Sequence, residues 1–197
     1  MGNLHAFDTE KLDWSEVRAA GRPEPRSFHS AASDDTNLYI FGGCGLEGRL
    51  NDLHRYDSTS SSWECLPSNT SIEPRGGASL LVYTYNLFLI GGFNGKELGA
   101  GNYASDVFGL DPNQPELGWK VLSVKGTAPS PRPWLAATTC SYGIALHGGN
   151  APGFDINAIG ANHWLTVQPH AEKSNNINQN LPCKFWILFI GSPSACC

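Results

Sequence analysis

What most constrains this chain is that it repeats. Pro25-Arg26 is followed by Leu38-Tyr39-Ile40-Phe41-Gly42-Gly43, then by Asn51-Asp52-Leu53, Tyr56-Asp57 and Trp63. The same order returns as Pro74-Arg75, Leu87-Phe88-Leu89-Ile90-Gly91-Gly92, Ser105-Asp106-Val107, Leu110-Asp111 and Trp119. It begins a third time with Pro131-Arg132 and Ile144-Ala145-Leu146-His147-Gly148-Gly149. Arg26 and Arg75, Gly42 and Gly91, and Trp14 and Trp63 are each 49 residues apart, while Arg75 to Arg132 and Gly91 to Gly148 are 57 apart. The chain opens inside a copy, because Asn3-Leu4 and Phe7-Asp8 before Trp14 match the second half of the unit. A unit of this length is one supersecondary element that cannot bury its own faces and must stack on its neighbours.

Each landmark has a physical reading. The apolar run before the diglycine is short and bounded by Gly, as a strand buried between layers should be. Gly42-Gly43, Gly91-Gly92 and Gly148-Gly149 permit a tight exit and a close backbone approach where a Cβ would collide. Tyr56, Trp14, Trp63 and Trp119 are expected to supply large apolar surfaces between adjacent units. Asp57 and Asp111 sit where a turn needs a side-chain acceptor. The predicted strands are 26–33, 37–43, 51–57 and 62–66, then 75–83, 86–91, 104–111 and 118–124. Antiparallel alternation puts loops 45–50 and 93–103 and connectors 18–25, 68–74 and 125–131 at one end.

Composition agrees. With 22 Gly and 13 Pro in 197 residues and 16% charged residues, against about 25% charged in typical soluble domains, the chain reads as all-β. A net charge of −5 without any block of like charge argues against a nucleic-acid footprint or a polybasic membrane patch. The start carries no basic segment followed by an apolar one, so no export signal is read and a cytoplasmic location, with the nucleus open to it, is expected. Without export, Cys44, Cys65, Cys140, Cys183, Cys196 and Cys197 read as free thiols, and Asn69-Thr70-Ser71 as an idle glycosylation acceptor.

Over residues 2–149 these landmarks resemble the kelch repeat of β-propeller proteins. A further resemblance links Arg26-Ser27-Phe28-His29-Ser30-Ala31-Ala32-Ser33-Asp34, Arg75-Gly76-Gly77-Ala78, and Pro131-Arg132 with Trp134 to the plant nitrile-specifier and epithiospecifier proteins. The implied fold is all-β, a partial kelch-type β-propeller over 1–149. It comprises two complete four-stranded blades at about 18–66 and 67–124 and half-blades at 2–17 and 133–149. Propellers typically have about four to eight blades, so this set is not expected to close on itself, and a fragment of a longer product or self-association through open blade edges is expected. Residues 150–197 carry no recognisable fourth half-unit, since Trp164 lies closer to its diglycine than Trp63 and Trp119 do to theirs. They read as an irregular tail from an altered reading frame or retained intron. The final apolar run is far short of the roughly 20 residues a membrane span needs. Cys196-Cys197 resembles a prenylation signal, but the plainer reading is an aggregation-prone tail.

Arg26, Arg75 and Arg132 occupy equivalent positions, and two readings of them stand. They form a positive collar suited to carboxylate, sulfate or phosphate, or each pairs with backbone carbonyls or a neighbouring Asp and holds blades together. The specifier resemblance implies a ferrous site of pattern Glu-x-x-x-Asp-x-x-x-His. No Glu begins that pattern, for Glu47 is followed by Asn51 and Arg55 and Glu97 by Gly101 and Ser105. No Gly-x-Ser-x-Gly elbow, metal-spaced His pair or activated cysteine is legible.

The expected function is therefore a non-catalytic kelch module without cofactor, presenting Arg26, Arg75, Arg132, Phe93, Asn94 and Trp134 to a protein partner or small ligand. Nucleic acid and membrane are not expected as partners. The alternatives are an iron-dependent specifier-like protein directing glucosinolate hydrolysis products to nitriles, and a truncated, non-functional relic.

Overall fold

The computed structural model describes residues 2–67, 72–95, 102–141, 143–150 and 162–165. They build four antiparallel sheets in chain order. β1 (Leu4–Asp8) and β2 (Asp13–Val17) form a two-stranded sheet. β3 (Ser30–Ser33), β4 (Asn37–Cys44), β5 (Arg49–Asp57) and β6 (Ser62–Leu66) form blade 1. Blade 2 consists of β7 (Ser79–Tyr83), β8 (Asn86–Phe93), β9 (Tyr103–Leu110) and the short β10 (Lys120–Val121), preceded by a 3-10 turn at Pro115–Leu117. Blade 3 consists of β11 (Leu135–Cys140), β12 (Gly143–Gly148) and β13 (Asn162–Leu165). The fold is a partial β-propeller.

Two features depart from the sequence expectation. The first strand of each blade starts at Ser30 or Ser79 rather than at Arg26 or Arg75. Phe28, Gly77 and Trp134, each two residues after the blade's Arg, adopt φ of 56°, 64° and 57°, and a left-handed residue interrupts the β ladder. The remnants of the longer strand are single bridges, Ser27 to Cys44 and Gly76 to Phe93. The second departure is β13. The expected half-blade at 133–149 carries a third strand, with Ala145 opposite Trp164 and Leu146 opposite His163. Trp164 thus lies in a third strand, not in the outer strand that holds Trp63, which accounts for its short spacing from the diglycine. The rest of the tail, with the Asn-rich stretch and Cys196-Cys197, lies outside the described residues, as does Asn69-Thr70-Ser71.

The aspartates close turns as their chemistry dictates. Asp8 Oδ1 accepts the N–H groups of Glu10 and Lys11 at 3.0 and 2.9 Å; Asp57 Oδ1 accepts that of Thr59 at 2.8 Å, and Asp111 Oδ1 that of Asn113 at 2.9 Å. These short polar side chains stand in for backbone acceptors at the turn.

Blades stack through two apolar layers. Tyr39, Phe41, Leu53 and Leu66 of blade 1 meet Leu80, Leu87, Leu89, Phe108 and Trp119 of blade 2, with Phe41 and Trp119 edge to face at 5.7 Å. Leu81, Phe88, Ile90 and Val107 of blade 2 meet Ile144 and Leu146 of blade 3. Burial of such side chains stabilises by about 1.5–3 kcal/mol each. Trp63 and Trp14 behave differently, stacking on Tyr56 at 5.3 Å and Phe7 at 4.8 Å within their own sheets; Trp14 stays 45% exposed.

The two glycines of each diglycine do separate jobs. A Cβ on Gly42 would lie 2.6 Å from the Arg75 carbonyl oxygen, and one on Gly91 would lie 2.7 Å from that of Arg132. The first glycine therefore admits the next blade. A Cβ on Gly43 would lie 2.5 Å from the Ser27 oxygen and one on Gly149 2.9 Å from the Pro133 oxygen, so the second admits the blade's own first strand.

Candidate binding site at the loop face

The three repeated arginines are buried, at 8%, 5% and 4% exposure. In every blade Nη1 donates to the carbonyl of the first diglycine residue at 3.1 Å: Arg26 to Gly42, Arg75 to Gly91, Arg132 to Gly148. Nε donates to the carbonyl two residues earlier, that of Glu24, Glu73 or Ser130. Arg26 also forks onto Asp52 at 2.5 and 2.8 Å, and Arg75 onto Asp106 at 2.7 and 3.4 Å, while Arg132 Nη2 donates to Ser130 Oγ at 2.5 Å. Guanidiniums held this way brace the strand entry to the diglycine exit, and the collar geometry is not what these contacts build. Burial works against ionisation of Asp52, yet its hydrogen bonds to His54 and Arg26 hold the carboxyl well below the usual carboxylate range.

Of the remaining predicted contact residues, Phe93 is 1% exposed and belongs to the core, contrary to its expected role as contact area. Asn94 is half-buried; its Nδ2 donates to Glu73 Oε2 at 2.5 Å and its Oδ1 accepts the Asn102 N–H at 2.7 Å, which ties a connector to a loop. Trp134 stands on the surface at 38% exposure.

Around Trp134 the structure gathers residues that the sequence reading did not select. Phe28 and Trp134 face each other edge-on, with centroids 6.4 Å apart. The Arg49 guanidinium lies 5.9 Å from the Phe28 ring and 5.4 Å from the Phe93 ring, while its Nε donates to the Gly95 carbonyl at 3.1 Å. The floor beneath them is Gly76-Gly77. A Cβ on Gly76 would lie 2.6 Å from Arg49 Nη1, and one on Gly77 2.8 Å from the Trp134 indole nitrogen. Backbone bonds run across the same line, from Gly77 N–H to Phe28 O at 2.9 Å and from Trp134 N–H to Gly77 O at 2.6 Å. The neighbouring 45–48 turn raises Leu46 to 93% exposure.

Two bulky side chains are thus kept on left-handed backbone, which costs an L-residue of this kind on the order of 1–2 kcal/mol. Such strain persists only where the surroundings impose it. A sequence signal for this cluster existed in Gly76-Gly77, a diglycine outside the strand-exit register.

Between blades 2 and 3 a cavity of about 170 Å³ is lined by Ile90, Val107, Val124, Arg132, Leu135 and Leu146. Pockets for small organic ligands run at about 300–1,000 Å³, and this one lies below that range. Among the described residues no three His, Cys, Asp or Glu side chains converge. No helix among the described residues is long and apolar enough to cross a membrane.

The KLHDC2/KLHL20/DRC7 Kelch-repeats domain model matches residues 1–149. The chain belongs to the kelch-repeat family. Among its relatives, rat Kelch domain-containing protein 3 is 28% identical over 162 residues, covering 76% of this chain and 41% of that protein. Acyl-CoA-binding domain-containing protein 4 of Arabidopsis thaliana is 30% identical over 178 residues, 85% of this chain and 26% of its own length. The N-(sulfonatooxy)prop-2-enimidothioate sulfolyase of Thlaspi arvense is 32% identical over 101 residues, 46% of this chain and 29% of its own. This kelch chain therefore spans about two fifths of the first of these relatives and less of the others.

Proposed function

We propose that this kelch chain is a protein-binding module whose contact surface is the loop face around Trp134. The observation that carries this reading is the convergence of Phe28, Arg49 and Trp134 on the Gly76-Gly77 floor, with both aromatics on left-handed backbone. Rigid aromatics and arginine are the residue types that dominate binding energy at protein interfaces, and strained positions cluster at ligand clamps. A protein segment suits this open face, because Trp134 and Leu46 stand exposed on it. The module needs no cofactor for this role, and the cytosol remains its expected setting.

The test is selection from a displayed peptide library against the full chain, followed by affinity measurement with Trp134→Ala and Arg49→Ala. Each variant is expected to weaken the selected peptides at least tenfold while the β-type circular dichroism persists. Peptides that bind both variants as tightly as the parent would overturn the assignment.

A further inference from the structure

The junction between blades 1 and 2 is filled where the junction between blades 2 and 3 is hollow. Ile72 lies three residues before Arg75, is 2% exposed and belongs to the core that holds Phe41, Leu53 and Leu89. Its carbonyl accepts the Asn51 Nδ2–H at 2.9 Å. Three residues before Arg132 stands Pro129, which lines the cavity of about 170 Å³ instead of filling it.

The remaining lining follows the same comparison. Arg75 N–H donates to the Leu50 carbonyl and Arg132 N–H to that of Ala104, so Leu50 and Ala104 hold equivalent places. In the same register Phe41 gives way to Ile90, Leu53 to Val107 and Asn51 to Ser105, and all three replacements line the cavity. Leu135, in the place of Ala78, returns part of the volume. On balance the second junction is emptier by roughly the volume of an isoleucine side chain. Protein interiors are close-packed, so a void of this size forfeits contacts its lining could make. An apolar cavity of about 150 Å³ can stay dry and bind a ring the size of benzene. The rim here is exposed: Val124 at 38%, with Lys125, Thr127 and Ser130 beside it. Gly126 between them is left-handed at φ 84°, with nothing within 4 Å of an added Cβ.

We propose that this cavity is a binding site for one branched aliphatic side chain, isoleucine or leucine in type, carried by a bound protein segment. The fold already seats such a side chain, Ile72, at the equivalent place in the preceding junction. Ser105 stands where Asn51 holds the Ile72 carbonyl, and its hydroxyl is the group that meets the backbone of the incoming segment. This deepens the protein-binding reading and rests on it, adding a specificity pocket to the loop face.

Two experiments on the full chain test it. In the first, isopentanol, which carries the branched aliphatic group alone, is titrated while the methyl signals of Ile90, Leu135 and Leu146 are followed by NMR. Saturable shifts at millimolar probe are expected. Affinity should fall at least fivefold in Ala104→Leu, which restores the side chain of Leu50, and in Ile90→Phe, which restores that of Phe41; either variant suffices if it keeps the parent's melting temperature. In the second, peptides selected on the chain are expected to share an Ile, Leu or Val. Replacing that residue by Ala weakens binding to the parent at least tenfold and to the filled variants less than twofold. Absence of a saturable shift, or shifts untouched by both fillings, would overturn the proposal. So would probe binding with peptides indifferent to the aliphatic residue, which would assign the cavity to a free small ligand. Peptides that need the aliphatic residue but not Trp134 would instead sink the assignment of Trp134 as the contact centre and leave the pocket standing.

Discussion

Gly43 donates its N–H to the carbonyl of Arg75, 2.9 Å away in the next blade. That bond joins the two repeat landmarks, a diglycine and a Pro-Arg, that the sequence shows 32 residues apart. It makes the preceding Gly42 a steric requirement: an added Cβ would lie 2.6 Å from Arg75 O and 2.8 Å from Leu50 O. Gly42→Ala is expected to destabilise the chain by about 2–4 kcal/mol, combining left-handed strain with displacement of a buried backbone. Thermal or urea unfolding checks this, with Gly126→Ala costing about 1 kcal/mol as the comparison.

Arg75 braces blade 2 through Gly91, Glu73 and Asp106 and lies 5.5 Å from the Phe108 ring. Arg75→Met keeps the aliphatic stem but strands these acceptors. The expected loss is about 3 kcal/mol or more, in line with breaking one side of a buried pair. Asp106→Asn, which retains a hydrogen-bond acceptor and stays partly solvated, costs less. Equilibrium denaturation of the two variants gives the ranking.

Among the described residues both ring nitrogens of His29 are enclosed without a well-formed hydrogen bond, and the nearby Arg26 backbone favours the imidazolium only weakly. Burial, reinforced by the Arg26 charge, lowers its pKa from 6.5 to about 4. The unfolded chain therefore binds a proton that the folded chain refuses between those values, and stability falls as pH drops from about 6.5 towards 4. The loss attributable to His29 is about 2–3 kcal/mol. Acidification below the carboxylate range adds the loss of the Asp52 pair. His29→Gln should flatten the melting-temperature profile between pH 6.5 and 4, and an unchanged slope would contradict the assignment.

Trp134 combines strain with exposure. Trp134→Gly relieves the left-handed backbone by on the order of 1 kcal/mol while giving up ring contacts with Phe28 and the Gly77 floor. The net stability change is expected within about 1 kcal/mol, while affinity for selected peptides falls at least tenfold. Melting curves alongside peptide titrations separate the two effects.

Purified chain is expected to carry only substoichiometric iron, because no Glu in its sequence begins the Glu-x-x-x-Asp-x-x-x-His pattern. Elemental analysis after reconstitution with ferrous salt checks this. One iron per chain would restore the specifier-like reading.

Much of this was legible in the residues. The 49-residue offset gave the blades, the diglycines their strand exits and the Asp residues their turns, because each is a local requirement written in a residue type. The destination of Arg26 and Arg75 was half legible: Asp52 and Asp106 recur in step with them, but only packing shows the fork closing. The left-handed positions were not legible, since Phe28, Gly77 and Trp134 share no side-chain character. Their φ follows from bonds across blades, such as Gly77 to Phe28, which no local propensity encodes. β13 escaped for a related reason. Its place is set by ladder register with β12, whereas the repeated Trp marks only an outer strand. Arg49 has no repeated counterpart, so periodicity could not mark it.

Either end of the blades could meet a partner protein. Leu12, Tyr85 and Leu117 are exposed at 73%, 84% and 55% on the turns opposite the loop face, and they form the competing surface. Hydrogen–deuterium exchange of the full chain with and without a selected peptide decides between them. Protection is predicted around Phe28, the 45–49 turn, Gly76-Gly77 and Trp134, with none at Leu12, Tyr85 or Leu117. Protection confined to the opposite turns would contradict the assignment of the loop face as the binding surface.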